Sequence, residues 1–302
     1  MTSSAAQFSV TLRRSVLSVP AINLRALEKS RMLDCDSVIF DLEDSVAHDK
    51  KAEARDNLRQ FFAQGRLEGR ECIIRVNSND GGFFAEDMAV VVACRPDAVL
   101  LPKVDEPEDL QRVADVFSDA DLPGGCKIWA MMETPRGILN AAAIAKYGRS
   151  SGGRLEAFVV GLNDLRKDTG VLPEPGRIFL VPWLMQVVLA ARAYGIDVID
   201  SVSNDFRDLD SFGAECAQGR AMGFDGKMLI HPAQIDAANR HFGFSDEAVA
   251  EATAIVSAFQ EEGADGLNVI NMGGRMVERL HLVQAEKLLA KAALAEQRKK
   301  QA

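Results

Sequence analysis

Cysteine is scarce and unpaired in this chain of 302 residues. The five present, at positions 35, 72, 94, 126 and 216, show no C-x-x-C spacing, as expected of reduced structural thiols rather than a disulfide framework. Four histidines without an H-E-x-x-H pattern argue against a zinc site. No apolar run reaches membrane-spanning length, and the opening MTSSAAQFSVTLRR lacks the apolar stretch and small-residue cleavage site of a secretory leader. Positive charge is in deficit: 44 acidic residues outweigh 35 basic ones, for a net charge of -9 and a pI near 5.1. That balance argues against a broad face for nucleic acid or anionic membrane, both polyanions themselves. An anionic small molecule would then need a local cationic site. The expectation is a soluble, cytoplasmic protein that handles small molecules.

What the chain does have is a repeat of short apolar runs: SVLSV (15–19), SVIFDL (37–42), CIIRV (72–76), AVLLP (98–102), KIWAMM (127–132), AFVVG (157–161), IDVID (196–200) and KMLIH (227–231). They are continuous rather than alternating in polarity, which suits parallel strands buried on both faces. The gaps between them are long enough for a crossover helix, and segments such as 24–33 and 182–195 are amphipathic. Eight such alternations predict a (β/α)8 TIM barrel over residues 1–240, with a doubly wound open sheet as the other arrangement the pattern allows. Residues 241–302 read as a C-terminal helical extension, a lid or subunit contact, with helices over 246–261 and about 277–297 joined by a glycine-containing stretch.

In a barrel, chemistry gathers where strands end. Here those ends carry Asp41, Glu43 and Asp44, then Arg75, Lys103, Glu133, Asn163 with Asp164, Asp200 and His231. A single charge at such a place is ordinarily just meeting water. Glu133 and Asp164 end consecutive strands, which lie about 5 Å apart, and two facing carboxylates repel unless a proton or cation lies between them. Mg2+, which takes one or two carboxylates plus waters and substrate oxygens, explains the pair best. Arg75 suits bidentate recognition of substrate oxygens or, equally, a salt bridge to Asp41 or Glu43. Lys103 reads as a structural ion pair more readily than as a Schiff-base lysine.

The motifs RRSVLSVP with RALEKS, VIFDLEDSVAHDKK, IIRVNS, LLPKV, MMETPRG, GLNDL and GFDGKMLIHPAQI occur in order over nearly the whole chain. Together they resemble the CoA-ester lyase family that contains the citrate lyase β-subunit, malyl-CoA lyase and the malyl-CoA thioesterases, related to the HpcH/HpaI aldolases. The resemblance implies an Mg2+-dependent barrel, with Mn2+ as a substitute, assembling as a homotrimer or homohexamer. Glu133 and Asp164 become metal ligands, and Arg75 contacts the substrate's oxygens. Arg25 and Lys29 lie near the CoA phosphates, and the amides around Asn163 hold a small carboxylate. The implied reaction is retro-aldol cleavage of a malyl-, methylmalyl- or citramalyl-CoA, releasing a 2-oxo acid. Family lyases assign the proton relay to an aspartate in a pattern like GKMIDAP. Here Gly274-Arg-Met-Val-Glu-Arg-Leu-His-Leu282 puts Glu278 at that place, which resembles the thioesterase branch and opens thioester hydrolysis as the alternative. Without the family, Glu278 reads as an exposed helix residue. A carrier-protein-dependent lyase subunit is a second alternative. Ala21, Ile22 and Asn23 also stand where the family often has Pro-Gly-Ser.

Overall fold

A strand buried on both faces needs apolar residues of either parity, and eight such strands close on one another in the computed structural model. It describes residues 10–122, 125–261 and 266–300. The barrel strands are β1 (Ser15–Pro20), β2 (Ser37–Asp41), β3 (Glu71–Arg75), β4 (Ala98–Leu101), β5 (Lys127–Met132), β6 (Leu155–Val160), β7 (Asp197–Asp200) and β8 (Gly226–Leu229). Each pairs in parallel with its sequence neighbour, and β1 closes on β8 through Ser15–Lys227, Val16–Met228 and Leu17–Leu229. The TIM barrel read from the sequence is therefore observed.

The helices that follow in turn are α1 (Leu24–Ser30), α2 (Lys51–Ala63), α3 (Phe84–Cys94), α4 (Pro107–Asp119), α5 (Pro135–Gly148), α6 (Leu162–Thr169), α7 (Val181–Ala193), α8 (Leu209–Met222) and α9 (Ile235–His241). In α4, Leu110, Val113, Ala114 and Phe117 recur at helical spacing and are the buried face. The three larger of these each contribute about 1.5–3 kcal/mol by leaving water. Between β6 and β7 there are two helices: the short α6, then the crossover helix α7.

Alternation along the strands divides the core in two. Val16, Ile39, Ile73, Leu100, Trp129, Met131, Val159, Ile199 and Met228 fill the barrel, while intervening residues such as Val38, Phe40, Ile74 and Val99 pack outside it against the helix layer. At the N-terminal mouth, Arg13 binds Glu71 at 2.7–2.8 Å and Asp197 at 2.7 Å and lies over the Trp129 ring. That end is a structural plug, so the open end is the other one.

A second compact unit comprises the described residues from Gly243 on, with residues 10–12. It holds α10 (Asp246–Gln260) and α11 (Arg279–Lys299), and the joining stretch contains an antiparallel hairpin, β9 (Val269–Met272) with β10 (Arg275–Glu278). The hairpin lies within the glycine-containing stretch that the sequence placed between two helices. Gly273 and Gly274 both adopt positive φ, 60° and 86°, as a tight two-residue hairpin turn requires. Among the described residues no helix is long and apolar enough to cross a membrane.

Candidate active site

Counting by twos from the interior residues Ile39, Ile73 and Met131 leads to Asp41, Arg75 and Glu133, so all three point into the barrel's open end. They line a cavity of about 360 Å3 together with Asp44, Gly161, Asn163, Asp164 and Asn204, against apolar walls that include Met131, Val160, Met228 and Ile230. The same count sends Asp200 outward. There it meets Arg177 at 2.7 and 2.9 Å and Lys227 at 3.3 Å, buried beneath the helices. Burial alone would raise its pKa, but Lys227 and Arg177 hold it below the usual carboxylate range. Asp200 is thus removed from the set of cavity residues that the strand ends suggested. His231 is half-buried, caps the turn after β8, and stacks on Phe206 at 4.4 Å.

Arg75 has its expected ion pairs. Its Nε and Nη2 each donate to Asp41 at 2.6 Å, a fork-on-carboxylate arrangement, while Nη1 lies 2.9 Å from Glu43 and 3.5 Å from Asp44. Asp41 is fully buried, and Arg75 holds its pKa down against the cost of that burial. Asp41 also accepts from the Glu43 amide at 2.8 Å and from the Ser45 hydroxyl, so the DLEDS turn wraps its own carboxylate. Arg75 is buried yet lines the cavity, so the salt-bridged and substrate-facing readings are compatible.

Glu133 follows the last strand residue of KIWAMM and is 1% exposed. Its Oε1 accepts the Lys103 amide at 2.8 Å. Its Oε2 lies over Gly161, where a Cβ would sit 2.6 Å from the Cβ of Glu133 and closer still to that oxygen. Only glycine leaves this seat open. Burial first, then the charges of Glu43 and Asp164, push Glu133 up to about 8. Asp164 stands in the first turn of α6, whose preceding residue, Gly161, offers no capping side chain. Asn163 is exposed beside it and exchanges two amide hydrogen bonds with Asn204, at 3.1 and 2.9 Å.

Acidic groups outnumber basic ones around the cavity: Asp41, Glu43, Asp44, Glu133 and Asp164 lie near the cations Arg75 and Lys103. Among the described residues no three His, Cys, Asp or Glu side chains cluster as a metal site. A pair of carboxylates with room for waters and substrate oxygens is the donor set that Mg2+ uses, and Glu133 and Asp164 lining one cavity of about 360 Å3 fit it.

The model of the HpcH/HpaI aldolase/citrate lyase family matches residues 14–232. The chain belongs to that family. It is 44% identical to a (3S)-malyl-CoA thioesterase of Cereibacter sphaeroides, over 92% of this chain and 94% of that protein. It is also 33% identical to the mitochondrial citramalyl-CoA lyase of Homo sapiens, over 94% of this chain and 86% of that one. Among solved structures, the protein CitE from Mycobacterium tuberculosis in complex with magnesium, acetoacetate and coenzyme A superposes with a TM-score of 0.72, at 26% identity over 92% of this chain and 97% of that one. The family match spans Asp41, Arg75, Glu133, Gly161 and Asp164 and stops before Glu278.

Arg25 and Lys29 are exposed on α1 and are not among the residues lining the cavity. The departure from Pro-Gly-Ser ahead of them is locally neutral: Asn23 caps α1 by accepting the Ala26 amide at 3.1 Å, the task a serine performs. Glu278 lies in the second unit, exposed at the end of β10, and its amide donates to His281 Nδ1 at 2.9 Å. It precedes α11 rather than standing within a helix. Sequence reasoning missed the seat formed by Gly161, although a glycine directly after an apolar run was its signal. It also missed Lys51, whose ammonium, buried beneath the site, binds the carbonyls of Leu42 and Glu43 and Asn77 Oδ1 at 2.8–2.9 Å. Nothing marked that lysine off from its exposed neighbours in the run DKKAEAR.

Proposed function

We propose that this member of the family is an Mg2+-dependent enzyme acting on short 3-hydroxyacyl-CoA thioesters, malyl-CoA foremost, with hydrolysis of the thioester as its outcome. The observation that carries the reading is the placement of Glu133, Asp164 and Arg75 around one cavity, with a seat at Gly161 that leaves Glu133 unobstructed. Glu133 and Asp164 would hold the ion. When bound, it would supply Lewis-acid polarisation of substrate oxygens and charge neutralisation for the two carboxylates. Arg75, already fixed by Asp41, keeps Nη1 toward the cavity as a donor to a carboxylate or developing oxyanion. Asn163 and Asn204 present exchangeable amide donors at the rim. The apolar walls limit water around the reacting carbons.

Hydrolysis is favoured over carbon–carbon cleavage by the 44% identical thioesterase and by Glu278, whose extra methylene relative to aspartate displaces a proton-transferring carboxylate by about an ångström. A carboxylate misplaced for protonating an enolate still activates a water. Retro-aldol cleavage is the second reading, supported by the similarity to citramalyl-CoA lyase and by barrel residues that serve either outcome. Free thiol released from malyl-CoA with Mg2+, without glyoxylate, is the expected result. No product from malyl-, methylmalyl- or citramalyl-CoA would overturn the substrate assignment.

The reading extends to assembly as a trimer or hexamer. Exposed Leu139, Ile178, Phe179, Met185 and Leu189, on α5 and on and before α7, support it as an apolar face suited to another copy of the chain. Light scattering should give three or six times the monomer mass, and a strict monomer would contradict it.

A further inference from the structure

Lys103 is not glycine, yet it holds a left-handed backbone, φ 52°. Such a conformation persists only where the surroundings enforce it. The enforcement is visible: Asn140 Nδ2 donates to the Asp105 carbonyl at 2.9 Å, the Thr134 hydroxyl binds the Asp105 carboxylate, and Gly137 lies directly against the Val104 carbonyl. The loop after β4 is thereby bolted to the cap and first two turns of α5. The turn has two consequences in opposite directions. The main-chain N–H of Lys103 is aimed at Glu133 Oε1, 2.8 Å away, and its ammonium reaches Glu43 Oε1, also 2.8 Å away. The other oxygen of Glu43 is the one beside Arg75 Nη1, at 2.9 Å, and it has no hydrogen bond of its own.

We propose that Lys103 is a positioning residue acting on both halves of the site. Its backbone fixes the rotamer of Glu133 by engaging Oε1 and leaving Oε2 against Gly161, in the orientation from which Glu133 would hold the ion, and its ammonium neutralises Glu43 so that Arg75 Nη1 stays available to substrate. The inference rests on the metal and substrate reading above and goes beyond it by assigning a role to a residue that touches neither the ion nor the reacting atoms. It also separates two functions of one residue, because the amide and the ammonium are removed by different substitutions. Lys103→Gly keeps the amide and suits the positive φ but deletes the ammonium. Lys103→Val deletes the ammonium and, being β-branched, also resists the left-handed conformation.

The test is Mg2+ titration of the substrate-free enzyme by calorimetry, paired with kcat and KM on malyl-CoA and a melting curve for each variant. Lys103→Gly should bind Mg2+ within about threefold of the parent while KM rises or kcat falls at least tenfold, and Lys103→Arg should restore most of that loss. Lys103→Val should in addition weaken Mg2+ binding by at least tenfold. If the valine variant does not fold, the glycine and arginine pair still decides the ammonium's role. Unchanged kinetics in Lys103→Gly, or no rescue by arginine, would overturn the inference. So would a valine variant that folds and binds Mg2+ as the parent does. A parent enzyme that itself fails to bind Mg2+ would instead count against the metal reading, a distinct result.

Discussion

Replacing Glu133 by glutamine should change how stability depends on pH, and the size follows from the burial of that carboxyl. In the metal-free protein Glu133 titrates at about 8 against an ordinary value of 4.5. Between those values the native state holds a proton that the unfolded chain has lost. Stability therefore falls as pH rises through this window, and the contribution is fully present only below about 4.5. At 1.36 kcal/mol per pH unit the loss is on the order of 3–5 kcal/mol by pH 8 or above. Glutamine is nearly isosteric, can still accept the Lys103 amide and carries no charge, so the variant should lose this slope. Urea unfolding in EDTA at several pH values from 5 to 8.5 would show wild type weakening and Glu133→Gln much flatter. Saturating Mg2+ should restore wild type, by about 2.7 kcal/mol at a hundred times its dissociation constant, and leave the variant unmoved. Equal pH dependence in the two proteins would refute the reasoning.

Gly161→Ala should place a methyl where Glu133 sits, costing about 1–3 kcal/mol of stability by overpacking and reducing malyl-CoA turnover about a hundredfold or more, readable by melting and thiol release. Asp41→Asn should weaken the two charged hydrogen bonds at Arg75 Nε and Nη2 while Glu43 stays beside Nη1, destabilising the fold by about 1.5–3 kcal/mol in urea titration, with little effect expected from the exposed Asp44 made Asn. Glu278→Gln should lower turnover by about 10²–10⁴ through loss of a proton-transferring group, whereas Glu278→Asp should shift product from free thiol toward glyoxylate.

The parts of this molecule legible in its sequence are those where one physical constraint dominates. Strands sealed between a barrel interior and a helix layer must be apolar on both faces, so SVLSV through KMLIH stood out as runs, with ends displaced by one or two residues. Strand parity puts Glu133 in the cavity and Asp200 outside it, paired with Arg177 and Lys227; reading strand ends without counting alternation from the interior residues groups the two together. The hairpin before Glu278 was overlooked although Gly273-Gly274 between short β-branched segments announces one. The left-handed Lys103 left no trace at all, because tertiary contacts rather than a glycine impose it.

The central claim is that Glu133 and Asp164 act together through one divalent ion. Its most direct measurement is malyl-CoA turnover by wild type, Glu133→Gln and Asp164→Asn across an Mg2+ titration, with thiol and glyoxylate followed in parallel. The account predicts Mg2+-dependent thiol release by wild type, and loss of at least about a hundredfold in each variant. Turnover that ignores Mg2+, or that persists within a few-fold in either folded variant, would contradict it.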